Sequence, residues 1–164
     1  MKSGRLLTLL AGIITILGTY VFAIFGGSGI VGSGIGFITN LPDLFGNTTV
    51  IAGFLGWEVW VVYIVLVLFI IFLAAGVLQI VGMANRVVSF IFSLFPIAVG
   101  LMIILLAYTD ILGTASAFFT FFFLHTQIAD IFPFLIPIDI LALGAYLMLA
   151  GGVLGFISAF LPRD

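Results

Sequence analysis

Three carboxylates stand where they could do electrostatic work. Glu58, Asp110 and Asp139 each lie at or beside the end of a long apolar run. Repeated around an oligomer, such carboxylates form an acidic ring that draws cations toward a pore mouth. The same acids also serve as ordinary markers of helix ends. Asp139 falls in the first turn of the run 138–161, where the helix macrodipole favours a negative charge. A second group, His125, Gln127 and Asp130, offers one imidazole, one amide and one carboxylate. One histidine and one aspartate fall short of the three or four ligands a zinc site uses. The chain has no cysteine, which removes disulfides, thiolate metal ligands and cysteine nucleophiles. No ionisable residue occupies the middle of an apolar run, which argues against a proton-coupled pump. The expectation is a non-enzymatic protein with no cofactor and no metal.

The elements that must position these residues are set by composition. Of 164 residues, 65% are hydrophobic and 6% charged. A soluble domain carries about a quarter charged residues, so most side chains here face lipid. The net charge of −2 provides no basic face for nucleic acid. The fold class expected is an all-α integral membrane protein, one transmembrane domain over 1–164, built as a four-transmembrane-helix bundle. The expected spans are about 6–25, 59–81, 87–108 and 138–161. The run 59–81 is uncharged and, at about 23 residues, long enough to cross a hydrocarbon core of about 30 Å. Residues 6–25 exceed the apolar core of a secretory signal and are read as a span. Pro96 interrupts the third span, with Ser93 as the hydroxyl expected to compensate its lost hydrogen bond.

Two long connections, 26–58 and 109–137, join the spans. The glycine-dense stretch 26–36 opposes helix, and residues 41–47 carry the turn chemistry of Pro42, Asp43, Gly46 and Asn47. Asn47-Thr48-Thr49 is a glycosylation sequon. In the second connection, 111–124 is about 14 apolar residues, short for a span, and reads as a re-entrant or interfacial segment rather than a fifth span. Trp57 and Trp60 suit a membrane interface. They join Phe118, Phe119, Phe121, Phe122 and Phe123 as candidates for an interfacial or assembly surface. Gly144, Gly151 and Gly155 form a helix-packing face of the kind that lets spans associate closely, within one chain or between copies.

Orientation follows the basic residues. With four spans, Lys2, Arg5, Arg86 and Arg163 all fall on one side, which the positive-inside rule makes cytoplasmic. Both termini are then cytoplasmic and both connections lie outside, consistent with the plasma membrane. A fifth span would move Arg163 away from the other three. This layout resembles that of claudins and tetraspanins. Both families carry cysteine motifs in their outer loops, and this chain has none, so no family residue is carried over. The functional expectation is assembly in the bilayer, as a homo-oligomer or as a small structural subunit beside other membrane chains. The alternative is a homo-oligomeric ion or small-solute channel with Glu58, Asp110 and Asp139 at its outer mouth.

Overall fold

A computed structural model describes residues 2–163. The chain is mostly helical. Helix α1 (Ser3–Ile16) continues through a π-helical turn, Leu17–Val21. Helices α4 (Val59–Val81) and α5 (Arg86–Tyr108) form an antiparallel hairpin. Its turn is closed by Asn85, whose Oδ1 accepts the Val87 amide at 2.9 Å, the side-chain cap expected of Asn before a helix. Three helical stretches are long and apolar enough to cross a membrane: Ser3–Val21, Val59–Val81 and Arg86–Tyr108. Helix α7 (Leu143–Ser158) has 16 residues, which at 1.5 Å per residue is about 24 Å, shorter than the hydrocarbon core. It packs between α1 and α5, and α4 packs on α5 and α1.

The first and fourth apolar runs are therefore less helical than expected from 6–25 and 138–161. The reason lies in the backbone of Ala23 and Ile24. The amide of Ala23 donates to Phe134 O at 2.9 Å and that of Ile24 to Gly32 O at 2.8 Å. Their carbonyls accept from Gly144 N at 2.9 Å and Ala142 N at 2.8 Å. Extended chain at both helix ends thus satisfies polar groups that a longer helix would have paired internally. Residues 137–142 form a tight hairpin, β4 (Pro137–Ile138) against β5 (Leu141–Ala142). It turns at Asp139, whose φ is +60°.

The expected loops are folded. Strands β1 (Phe25–Gly27) and β2 (Ile30–Gly32) make a hairpin, and β2 pairs with β3 (Leu124–Thr126) from the second connection. Helix α2 (Gly34–Gly46) and helix α3 (Thr48–Leu55) follow the hairpin. The turn expected at 41–47 is corrected: Pro42 lies inside α2, and the chain breaks only at Asn47. Helix α6 (Ala115–Phe123) has nine residues, too short to cross a membrane as a fifth span. The two connections lock together through an aromatic core. Phe37 of α2 is 5.3 Å from Phe69 of α4 and 5.5 Å from Phe123 of α6, centroid to centroid. Phe119 and Phe122 complete the cluster against Phe69 at 5.9 and 6.4 Å. Phe69 lies mid-way along α4, so this cap reaches down into the bundle. Phe119 also closes an apolar groove of about 510 Å³ between α4 and α5.

Candidate functional site

Two regions bring polar chemistry together, one inside the bundle and one in the outer cap. Inside, the small and hydroxylated residues of α1, α5 and α7 meet Gln79 of α4. Gly151 faces α1: a Cβ there would meet the Thr15 amide nitrogen at 2.7 Å and Ala11 O at 2.9 Å. At Gly155 a Cβ would meet Gln79 Nε2 at 2.7 Å and press on the Ser93 hydroxyl. Gly144 lies against the carbonyls of Phe22 and Ala23, both 2.5 Å from a Cβ. The glycine face of α7 is thus covered by the chain's own helices and is not open for contact between copies.

What the glycines admit is a buried polar seam. The Thr8 hydroxyl sits 2.8 Å from that of Ser158, which sits 3.3 Å from that of Ser89. Ser93 donates to Ser89 O at 2.6 Å, and Gln79 Nε2 donates to Ser93 Oγ at 3.1 Å. Thr8, Thr15, Gln79, Ser89, Ser93 and Ser158 are all fully buried. Ser93 therefore bonds Ser89 O, not Phe92 O, the carbonyl that Pro96 leaves without its helical partner. Gln79 Oε1 and Thr15 Oγ1 have no partner among the described residues, a costly state for a polar atom shut away from water. Of these residues only Ser93 is named from the sequence, and for a different role. A readable signal existed: Gly4, Thr8, Gly12 and Thr15 recur at helical spacing along α1, all buried, and Ser89 and Ser93 stand one turn apart.

In the cap, Ser33 caps α2 by accepting the Gly36 amide at 3.3 Å and lies 2.7 Å from His125 Nε2. His125 Nδ1 is 2.9 Å from Thr126 O. A carbonyl only accepts, so Nδ1 carries the proton and Nε2 accepts from the Ser33 hydroxyl. Ser33 has no exposed surface, so the pair joins the two connections and offers no path for a substrate to the hydroxyl. Asn40 reinforces the joint, its amide donating to the α6-end carbonyls of Phe122 and Leu124 at 3.1 and 2.9 Å. These carbonyls would otherwise be orphaned at a helix end. Burial lowers the His125 pKa below its ordinary 6.5, partly offset by the bond to Thr126 O. The unfolded chain then protonates first as pH falls. Stability due to this site is fully present above about pH 6.5 and declines as the pH drops toward the lower folded value. A melting series between pH 8 and 5 should slope downward for the parent protein below that point. The His125→Gln variant should lose that component of the slope.

Glu58 precedes α4 and makes no capping bond, and Asp110 follows α5 in a turn. Asp139 accepts from the Tyr108 hydroxyl at 3.0 Å, and Tyr146 lies 3.3 Å from that hydroxyl. Among the described residues no three His, Asp or Glu side chains are placed to hold a metal ion, and His125, Gln127 and Asp130 are not such a group. The aromatic run divides by helix face. Phe119, Phe122 and Phe123 are buried in the cap's own core, so they are corrected from an assembly surface to internal packing. Phe121 is 65% exposed. Phe118 is half-buried and packs at a tilt against Phe54 of α3, ring centroids 4.2 Å apart. Trp57 packs 6.3 Å from Phe119, and Trp60 is 63% exposed. Asn47 is exposed between α2 and α3, with its side-chain amide donating to Asp43 O at 2.8 Å.

The class these features define is a mostly helical chain with three membrane-length helices, sealed internally by glycine and hydroxyl side chains and closed at one end by a folded cap. No protein-family model, curated protein or solved structure matches it.

Proposed function

We propose that the chain is a non-enzymatic multi-pass membrane protein that acts by assembling in the bilayer, with copies of itself or with other membrane subunits. In this reading α7 is the fourth span, both termini and the basic residues are cytoplasmic, and the cap faces outward at the plasma membrane. The observation that carries the proposal is the surface of the cap. Val50 and Phe54, one turn apart on α3, are 68% and 59% exposed, and the tilted Phe54–Phe118 ring contact links them to α6, where Phe121 stands outward. A contiguous apolar surface held on a rigid support is suited to a partner. The support is rigid because both connections share one sheet and one aromatic core.

The absence of native cysteine makes the test direct. Single Val50→Cys and Phe121→Cys variants in native membranes should form disulfide-linked or partner-linked species under mild oxidation, while Val77→Cys on the lipid side of α4 should not. Mass measurement in mild detergent should exceed that of one chain. A strict monomer, with no cross-link at either cap position, overturns the proposal. The channel reading draws on the exposure of Glu58, Asp110 and Asp139. Reconstituted liposomes should then conduct cations, and an unchanged current in the Asp110→Asn, Asp139→Asn double variant refutes the acidic mouth.

A further inference from the structure

The other end of the bundle carries a charge arrangement that the assembly proposal leaves unused. Pro162 and Arg163 fold back onto the helix ends. Gly4 N donates to Pro162 O at 3.1 Å, and the Arg163 guanidinium donates to Thr8 Oγ1 at 3.1 Å and to Gly82 O at the end of α4. Arg163 is 5% exposed, and its Nε has no partner among the described residues. Two exposed arginines lie on the elements it bonds: Arg5 one turn before Thr8 on α1, and Arg86 four residues after Gly82, at the first residue of α5. Burial pushes the Arg163 guanidinium down from its ordinary value, and the charges of Arg86 and Arg5 push it further the same way.

The two exposed arginines are badly placed for their own helices. Arg5 and Arg86 lie at helix N-termini, the positive ends of the macrodipoles, where cations are unfavourable. The five described carboxylates are all in or beside the cap segments: Asp43, Glu58, Asp110, Asp130 and Asp139. Asp164 lies beyond the described residues. The first-turn amides Gly4 N and Val87 N are already taken by Pro162 O and Asn85 Oδ1, so it is the two exposed guanidinium forks, beside a third, buried one, that match an oxyanion with several acceptor oxygens.

We propose that Arg5, Arg86 and Arg163 form an oxyanion site that takes a phosphate group, from an anionic lipid headgroup or from free phosphate. Arg5 and Arg86 contact the phosphate. Arg163 holds the ends of α1 and α4 together beneath them and adds its charge. The site is independent of how the cap is used, so its failure leaves the assembly proposal standing.

The test uses the full chain in nanodiscs of phosphatidylcholine alone, of phosphatidylcholine with phosphatidylglycerol, and of phosphatidylcholine with added inorganic phosphate. Phosphatidylglycerol retained around the protein should be enriched over the bulk composition and should raise the melting temperature. Arg5→Gln with Arg86→Gln should weaken that binding roughly 30-fold, at about 1 kcal/mol per basic residue near an anionic surface, while the Lys pair retains most of it. Both positions are exposed, so the Gln pair should melt like the parent in phosphatidylcholine alone. The single Arg5→Gln carries the same test at roughly 5-fold. A response to phosphatidylglycerol only assigns the headgroup, and a response to inorganic phosphate assigns the free anion. No response to either overturns the site. So does an equal response in parent and Gln pair, or a loss of stability in the pair that is the same in all three discs.

Discussion

Replacing Phe37 by alanine should loosen the cap more than any other single truncation in it. Phe37 has no exposed surface and touches Phe69, Phe122 and Phe123, with ring centroids at 5.3, 6.4 and 5.5 Å. It is the only buried aromatic that α2 sends into the core, so its removal weakens the docking of the first connection on both α4 and α6. Deleting a buried phenyl ring costs about 3–5 kcal/mol. For a chain of this size each kcal/mol moves the melting temperature by about 2–4 °C, so the variant should melt roughly 6–20 °C lower. Phe121→Ala, on the same cap but 65% exposed, should stay within about 0.5 kcal/mol of the parent. A Phe37→Ala protein as stable as Phe121→Ala, measured in the same detergent, would show that the cap is not held by this cluster. Proteolysis of the two connections gives a second readout. Both should become cleavable together, since the strand pairing of β2 with β3 and the Ser33–His125 bond depend on the same docking.

The second large effect is expected on α7. A methyl group at Gly151 meets backbone atoms of α1, the Thr15 amide nitrogen at 2.7 Å and Ala11 O at 2.9 Å. Backbone does not step aside as a flexible side chain does, so α1 and α7 must separate. Overpacking of this kind costs about 1–3 kcal/mol. At Gly155 the obstruction is the Ser93 hydroxyl together with Gln79 Nε2, so Gly155→Ala should also break the Gln79–Ser93 hydrogen bond. Leaving such groups buried and unpaired adds about 1–3 kcal/mol. The pair Gly151→Ala, Gly155→Ala should therefore destabilise the protein by several degrees while leaving its cross-linking pattern unchanged. Loss of assembly with unchanged melting would instead place the glycines between chains.

Much of this architecture is legible from residue types. The uncharged run Val59–Val81 becomes α4 with those boundaries, because a segment that pairs all its backbone internally and offers only apolar side chains needs no help from elsewhere. The run 87–108 becomes α5 for the same reason, with Asn85 marking its start. The glycines of α7 and the phenylalanines of 118–123 announce themselves by type. Their partners do not. One glycine face packs equally well on its own bundle or on a copy, and the deciding atoms, Thr15, Ala11 and Ser93, lie 60 or more positions away in the chain.

The sequence by itself determined the medium, the long hairpin and the concentration of charge at the helix ends, because hydropathy and charge act residue by residue. Tertiary structure alone decided three things. It turned two apolar connections into one cap, because Phe37, Phe69 and Phe119 bury themselves only when distant segments meet. It shortened the first and last helices, because the backbone of Ala23 and Ile24 finds partners at Gly32, Phe134, Ala142 and Gly144 instead of along its own helix. It also redirected the question of function. Arg5, Arg86 and Arg163, which read in sequence only as signs of orientation, are brought to one end of the bundle by the bonds of Arg163 to Thr8 and Gly82.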